Sequence, residues 1–272
     1  MVEYQDVRMD LMSSKDVAKY LKKKDMVILP VGCVEMHGPK IPLACDTIHA
    51  WATSILLAKK WKCLVLPPVY YAYPGASGPW PGTVDISPEI TASYLKAITL
   101  ALIKGGFNRV VLYGTHGPLA WAFQSVMRSI LQETGKVVVG MQSEVMPDDL
   151  MKKELGYDGG EDILVLASLK ILGLHGAYDP KANREGPREF PYSTVGPLRK
   201  HGASVPWLFK ADYQHTGIRK GLSINDADKA IKVMKKAIDR MGSFPKLYAT
   251  YQKQIKKLLN DKPWNKDSNW TL

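Results

Sequence analysis

The 272-residue sequence lacks the features that mark membrane-spanning, secreted or disulfide-bonded proteins. No apolar run approaches the ~18–20 residues that a membrane-spanning helix needs. The first ten residues, MVEYQDVRMD, contain acidic side chains and no apolar core of the kind found in secretory signals. The three cysteines are an odd number at uneven spacing, which does not form a disulfide framework. We therefore expect a cytoplasmic protein with no membrane partner.

Sequence patterns for nucleic-acid binding are also missing, although the formal net charge is +11. Thirteen Lys or Arg against five Asp lie between Thr216 and the C-terminus, which accounts for +8 of that charge. They follow a helical pattern, so the ordinary interpretation is a solvated helix face. We expect no nucleic-acid partner. The alternative, a basic nucleic-acid binder, would show a strongly salt-dependent affinity.

The hydrophobic pattern predicts an α/β fold in a single domain. Short apolar runs bounded by turn residues are typical of buried strands and occur at 26–32, 63–66, 109–113 and 136–141. Helical patterns alternate with them at 14–21, 46–58, 88–104, 118–133 and 161–172, and a long one follows Asn225. This alternation predicts a mostly parallel sheet with helices on both faces. Without repeats or linkers, residues 1–272 form one expected domain with a polar tail from about 259.

Polar side chains follow the ends of the predicted strands. Glu35 and His37 come after the first strand, and His116 comes after the third. Ligands of open α/β sheets bind at the carboxyl ends of the strands, so these side chains are expected at one edge. Asp46, at the start of the next helix, can face the same edge, and Glu161 begins a further helix.

This residue set predicts a metal centre. Imidazole and carboxylate groups suit Zn²⁺, Mn²⁺ or Fe²⁺, and two His with three carboxylates suit two ions about 3.5–4 Å apart. Ordinary interpretations remain open: Asp46 as an N-cap, Glu161 as a complement to the helix dipole, and His116 as a hydrogen-bonded loop residue. Cys33 and Cys45 are interpreted as small buried hydrophobic side chains.

One segment makes the metal interpretation more specific. Residues 28–46, ILPVGCVEMHGPKIPLACD, resemble the opening motif of the creatininase family, LPVGSxEQHGPHLPLxTD. Four weaker resemblances follow: PGT at 81–83, YGTHGP at 113–118 for a strand ending in NGHGGN, DGGEDIL at 158–164 for HAGExET, and GIRKGLSINDA at 217–227 for GxxGxPxxA. Together they cover about residues 26 to 240.

The resemblance implies a three-layer sandwich and a binuclear hydrolase. Such an enzyme opens a small cyclic amide or related C–N bond with metal-activated water, and holds two divalent ions (Zn, Mn or Fe) per chain. By position, Glu35, His37, Asp46 and His116 match family metal ligands, with Asp46 as the bridge. Glu161 matches the glutamate of the HAGE element and is expected as the remaining carboxylate. The partners implied are a small-molecule substrate and further copies of the chain, as a hexamer.

Two departures from the family pattern bear on the reaction. Pro118 stands where the creatinine-hydrolysing members carry a glutamate, so creatinine is not the expected substrate. Asp158 replaces the histidine of the HAGE element, a proton-transfer candidate in the family. We expect Asp158 and Glu161 to be catalytic, with Asp158 as proton carrier; His175 and Tyr157 are alternatives.

Three aromatic residues are candidates for the substrate pocket. Tyr73 and Trp80 lie in a long Pro/Gly-rich loop, and Trp207 lies in a second irregular segment. Loops of that length in compact domains usually serve function, although such aromatics are also ordinary packing residues.

Two other functions stay open: hydrolytic ring opening of a carbocyclic keto-sugar of the inosose type in inositol breakdown, and a non-catalytic metal-binding relative.

Overall fold

Four parallel strands form the central sheet of the described structure. The computed structural model describes residues 2–142, 148–155, 161–179, 192–211 and 226–265. The strands in these ranges are β1 (Met26–Val31), β2 (Leu64–Val65), β3 (Arg109–Gly114) and β4 (Val139–Gln142). Their order is β2-β1-β3-β4, and every neighbouring pair is parallel. The predicted parallel sheet is confirmed, with β1 and β3 at its centre.

Helices connect and cover the strands. Those in the described part of the chain are α1 (Ser14–Leu21), α2 (Cys45–Trp61), α3 (Pro88–Lys104), α4 (Leu119–Thr134), α5 (Asp148–Leu155), α6 (Glu161–Leu172), α7 (Val195–Lys200), α8 (Asp226–Arg240) and α9 (Phe244–Asp261). The sequence pattern predicts most of these, but it misses α5 and α7. The last helix continues to Asp261, slightly past the residue at which we expected a tail.

Alternating side chains of the strands divide the core into two layers. On one face of the sheet, Ile28 and Val111 pack in a cluster formed with helices α2, α6 and α8. On the other face, Val27 and Val110 pack in a cluster formed with α3 and α4. Strands buried on both faces read as continuous apolar runs, as these do. The expected helix–sheet–helix sandwich is therefore confirmed.

The charged residues of α8 lie on its solvent side. Its buried side is apolar and consists of Ala227, Ala230, Val233, Met234, Ala237 and Ile238. Charged residues on the other side pair with neighbouring helices, as in Lys60–Asp239 at 2.6 Å and Lys170–Asp228 at 2.7 Å. The charge pattern of α8 is thus that of a solvated helix face. Among the described residues, no helix is both long and apolar enough to cross a membrane.

Gly32 brings the start of α2 close to the end of β1. A side-chain carbon at this position would lie 2.4 Å from backbone atoms of Thr47. The Thr47 hydroxyl donates a hydrogen bond of 3.0 Å to the carbonyl of Cys33, which joins the two elements. Residues in the first turn of α2 consequently lie at the carboxyl edge of the sheet.

Candidate metal centre

Four of the five predicted metal ligands meet at this edge. Glu35 and His37 follow β1, Asp46 lies in the first turn of α2, and His116 follows β3. All four side chains are buried, with 0% to 5% of their surface exposed. His116 Nδ1 lies 3.0 Å from Glu35 Oε1 and 3.1 Å from Asp46 Oδ2. His37 Nε2 lies 3.4 Å from Asp46 Oδ2, so one carboxylate contacts both imidazoles.

Asp46 is not the N-cap of α2. Helix α2 begins at Cys45, and its N-cap residue, Ala44, makes no side-chain capping bond. The Asp46 carboxylate is instead directed to His37 and His116. Its own carbonyl accepts a hydrogen bond of 3.2 Å from the Thr115 hydroxyl, which connects the helix start to the loop after β3. The N-cap interpretation of Asp46 was wrong.

Backbone carbonyls fix the orientation of both histidines. His37 Nδ1 lies 3.1 Å from the Glu35 carbonyl oxygen, and His116 Nε2 lies 2.9 Å from the Tyr73 carbonyl oxygen. A carbonyl only accepts, so each of these nitrogens donates its N–H. The other ring nitrogen then faces the carboxylates. Metal-binding histidines characteristically donate their second N–H in this way.

The carboxylates of Glu35 and Asp46 strongly favour positive charge on the neighbouring imidazoles. Burial alone would lower the pKa of His116, but Asp46 and Glu35 raise it to about 10. Burial opposes protonation of His37 as well, yet the neighbouring Cys45 and Asp46 hold its pKa well above the usual range. Burial would raise the pKa of Asp46, and the two imidazoles hold it well below its usual value. The buried carboxylates therefore favour a cation at this position.

Glu35 has two further partners that sequence analysis did not identify. The Ser77 hydroxyl donates to Glu35 Oε2 and is completely buried. The Cys33 thiol donates to Asp46 Oδ2 at 3.1 Å and lies 3.5 Å from Glu35 Oε1. Cys33 is buried as expected, but it also contacts the carboxylates. Ser77 lies in a Pro/Gly-rich loop with no recognisable motif, whereas the position of Cys33 two residues before Glu35 was a usable signal.

The buried donors form two groups that share one residue. Cys33, Glu35, Asp46 and His116 make one group, and His37, Cys45 and Asp46 make the other. Within each group, one potential ligand atom from every residue lies within 4.8 Å of the others. Carboxylate, imidazole and thiol groups are the usual donors to Zn²⁺ and similar ions. The described residues therefore fit divalent metal ions, and Asp46 belongs to both groups.

The remaining predicted residues are only partly described. Glu161 begins α6, which packs beside α2, but its side chain is outside the described part of the structure. Asp158 and Tyr157 lie outside the described residues, as does the side chain of His175. Their proposed roles in metal binding and proton transfer stay predictions.

Two of the three predicted pocket aromatics lie in segments that contact each other. Trp80 Nε1 donates to the carbonyl of Phe209 at 3.2 Å, and the Phe209 amide donates to the carbonyl of Ala76 at 3.1 Å. The segment that carries Trp207 therefore lies against the loop that carries Ser77. Trp207 lines a surface pocket whose other residues are Tyr192, Thr194, Val195, Leu198, Val205, Pro206 and Leu208.

Tyr73 contacts the site through its backbone. Its carbonyl accepts from His116, while its ring meets Trp121 edge-on with 6.4 Å between centroids. Contact of Tyr73, Trp80 or Trp207 with a substrate stays a prediction.

A family model described as creatininase, creatinine amidohydrolase, matches residues 10–164. The matched range contains the four clustered residues and Glu161.

Similar proteins include hydrolases of two substrate types. The chain is 34% identical over 107 residues to a 3-dehydro-scyllo-inosose hydrolase of Thermotoga maritima, covering 39% of this chain and 34% of that protein. It is 28% identical over 159 residues to a mycofactocin precursor peptide peptidase of Mycolicibacterium smegmatis, covering 48% of this chain and 62% of that protein. The matches thus span less than two thirds of either relative. A solved structure of creatininase with Mn superposes with a TM-score of 0.68 at 19% identity, covering 87% of this chain and 97% of the other.

Proposed function

The chain belongs to the creatininase family, and we propose that it is a hydrolase that uses a pair of divalent ions to cleave a small cyclic amide or related C–N bond. One observation carries this proposal. Two buried histidines each give one N–H to a backbone carbonyl and direct the other nitrogen to the same carboxylate, Asp46. That arrangement is suited to a bridging carboxylate between two ions.

Each side chain has a definite part in this proposal. Glu35 and His116 would hold one ion, His37 would hold the other, and Asp46 would bridge them. A bound pair of Zn, Mn or Fe ions supplies Lewis acidity, which activates water and polarises a carbonyl at neutral pH. Ser77 and the two backbone carbonyls hold Glu35, His37 and His116 in place.

The proton that reaches the leaving group needs a carrier among the chain's own residues. We assign this role to Asp158, and Glu161 is the second expected catalytic residue. A carboxyl group at the edge of the site can shuttle a proton when it lies within about 3 Å of the donor and acceptor. Asp158→Asn should therefore lower turnover while leaving the metal content unchanged. Unchanged turnover would remove Asp158 from the mechanism and favour His175 or Tyr157.

A second candidate substrate is a carbocyclic keto-sugar of the inosose type. The similarity to a 3-dehydro-scyllo-inosose hydrolase favours it, whereas the similarity to a peptide peptidase favours an amide bond. Either substrate carries a carbonyl carbon for water to attack, so the same ligands, with any ions they hold, would serve both reactions. A panel of lactams, cyclic ureides, formamides, short peptides and inositol-derived ketones, tested on metal-loaded protein, separates the two.

The metal content tests the centre itself. His37→Ala should lose at least half of the bound metal and nearly all activity, measured by elemental analysis and turnover on the same sample. His201→Ala is the matched control, because His201 is exposed at the end of α7. A His37→Ala protein with full metal content and activity would show that the site is misassigned. Wild-type protein that binds its full metal content but turns over no substrate of the panel would favour the non-catalytic alternative.

We also propose that the chain assembles into a homo-oligomer, a hexamer by family resemblance. Exposed apolar side chains on α9 support this: Leu247 is 63%, Tyr251 50% and Leu258 45% exposed. Residues at such spacings share one helix face, and a contiguous exposed apolar face is typical of interaction surfaces. Light scattering after size-exclusion chromatography measures the assembly directly.

A further inference from the structure

Cys45 is part of the donor group around His37. It is the first residue of α2 and is completely buried. Its sulfur lies in the same buried group of donors as the imidazole of His37. One ligand atom each from His37, Cys45 and Asp46 lies within 4.8 Å of the others. The sulfur therefore faces the position that an ion bound to His37 would occupy.

The two halves of the metal centre differ in their supply of ligands. The group around His116 has two carboxylates, Glu35 and Asp46, besides its imidazole. The group around His37 has Asp46 and Cys45, and the Glu35 carboxylate is farther away, with Oε1 4.0 Å from His37 Nε2. A catalytic zinc ion usually has three protein ligands. An ion on His37 reaches that number when the sulfur of Cys45 binds it.

We propose that Cys45 binds the His37-side ion as a thiolate, so that one ion of the pair has a sulfur ligand and the other has none. This rests on the proposed metal pair. The thiol proton of Cys45 leaves to solvent when the ion binds, and no oxidation or reduction is involved. Cys33 keeps its proton, because its sulfur lies 3.1 Å from Asp46 Oδ2 and donates a hydrogen bond to it.

A sulfur ligand would change which metals the protein selects. Thiolate favours Zn²⁺ over Mn²⁺, whereas an all-oxygen and nitrogen site holds Mn²⁺ comparatively well. Cys45→Ser should therefore lower the preference for Zn²⁺ over Mn²⁺ by at least about 10-fold, since even indirect contacts of a metal ligand change affinity by that factor. The family motif has threonine at this position, so Cys45→Thr is a second variant compatible with the fold.

Cobalt substitution tests the proposal without any assay of activity. Wild-type protein loaded with Co²⁺ should show a sulfur-to-metal charge-transfer band in the near ultraviolet. Cys45→Ser and Cys45→Thr should lose the band. Cys63→Ser should keep the band, because Cys63 is a buried cysteine of the core beside β2 and belongs to neither donor group. Cys33→Ser should also keep the band, and its loss there would overturn the assignment to Cys45.

X-ray absorption on the zinc-loaded wild type needs no variant. The expected signal is a sulfur neighbour of zinc at about 2.3 Å, present for one ion of the pair. Two bound zinc ions without a sulfur neighbour would overturn the role of Cys45 and leave the metal pair intact. Absence of bound zinc at neutral pH would overturn both proposals.

Discussion

Asp46 Oδ2 lies 3.1 Å from His116 Nδ1 although the two residues come from different parts of the chain. Asp46 enters from the first turn of α2, and His116 enters from the end of β3. The same oxygen lies 3.4 Å from His37 Nε2. The Asp46 carboxylate is thus within 3.4 Å of both imidazoles, whereas the Glu35 carboxylate lies 4.0 Å from His37, which makes Asp46 the most sensitive position for testing a shared metal site.

Asp46→Asn should abolish binding of both ions, whereas loss of either histidine should mainly affect one. The amide keeps the size of the side chain but removes the charge that a bridging ligand supplies. Elemental analysis should show a fall from about two ions per chain towards zero. Asp239→Asn is the control, because this exposed residue of α8 pairs only with Lys60 in the described structure. Two ions retained by Asp46→Asn would contradict the shared site.

Protein stripped of metal by a chelator should lose stability as the pH rises above neutral. The folded-state pKa of His116 is raised to about 10, above the usual value of about 6.5. A raised folded-state pKa stabilises the protein fully below the unfolded-state value, and the stabilisation disappears as pH rises through the folded-state value. The melting temperature should therefore fall between about pH 6.5 and 10.

The control for this pH dependence is His116→Gln, which cannot titrate. Its melting temperature should be lower at neutral pH and change less over the same alkaline range. The Asp46 carboxylate governs the dependence of the melting temperature on pH at the acid end. Because its pKa is held below the usual value, the stability that it contributes is lost only at acidic pH. A wild-type melting temperature that rises from neutral to alkaline pH would contradict the assigned proton positions.

The fold was predictable because its two central strands, β1 and β3, are buried on both faces. Residues 26–31 form an uninterrupted apolar run, and such a run bounded by turn residues leaves few alternatives. The two short helices α5 and α7 were missed; they have eight and six residues, and so few residues give only a weak helical pattern. Their formation depends on packing against the rest of the chain, which local sequence does not encode.

The metal ligands could be predicted from the sequence, whereas the residues that surround them could not. Strand order brings the residues after β1 and β3 to one edge, so Glu35, His37 and His116 could be grouped from their positions alone. Ser77 could not, because its loop approaches Glu35 only in three dimensions. Cys45 was interpreted as a small buried hydrophobic side chain, because a single sequence does not distinguish a buried cysteine from a metal-binding one.

Gly32→Ala should destabilise the protein and weaken metal binding together. The added carbon would lie 2.4 Å from the backbone of Thr47 and would push the start of α2, with Asp46, away from β1. Overpacking of this kind typically costs about 1–3 kcal/mol, which denaturant unfolding of the metal-free protein measures. Gly117→Ala is the matched control, because a carbon added there meets nothing within 4 Å. Equal stability of the two variants would contradict the close approach.

Ser77→Ala should weaken metal binding without removing a ligand. The Ser77 hydroxyl donates to Glu35 Oε2 and leaves Oε1 facing His116. Without that hydrogen bond, Glu35 is less well oriented, and loss of such an outer contact typically lowers metal affinity by about 10–100-fold. Competition titration with a chromophoric chelator measures the affinity, and the number of ions bound at saturation should not change.

Ser54→Ala is the matched control for Ser77→Ala. Ser54 is also a completely buried serine, and its hydroxyl has no hydrogen-bond partner in the described part of the chain. Removing that hydroxyl takes away a similar volume without changing the orientation of any ligand, so metal affinity should stay at the wild-type value. Equal losses in the two variants would mean that packing, rather than the hydrogen bond to Glu35, sets the affinity. A full-affinity Ser77→Ala protein would show that Glu35 is positioned by other contacts.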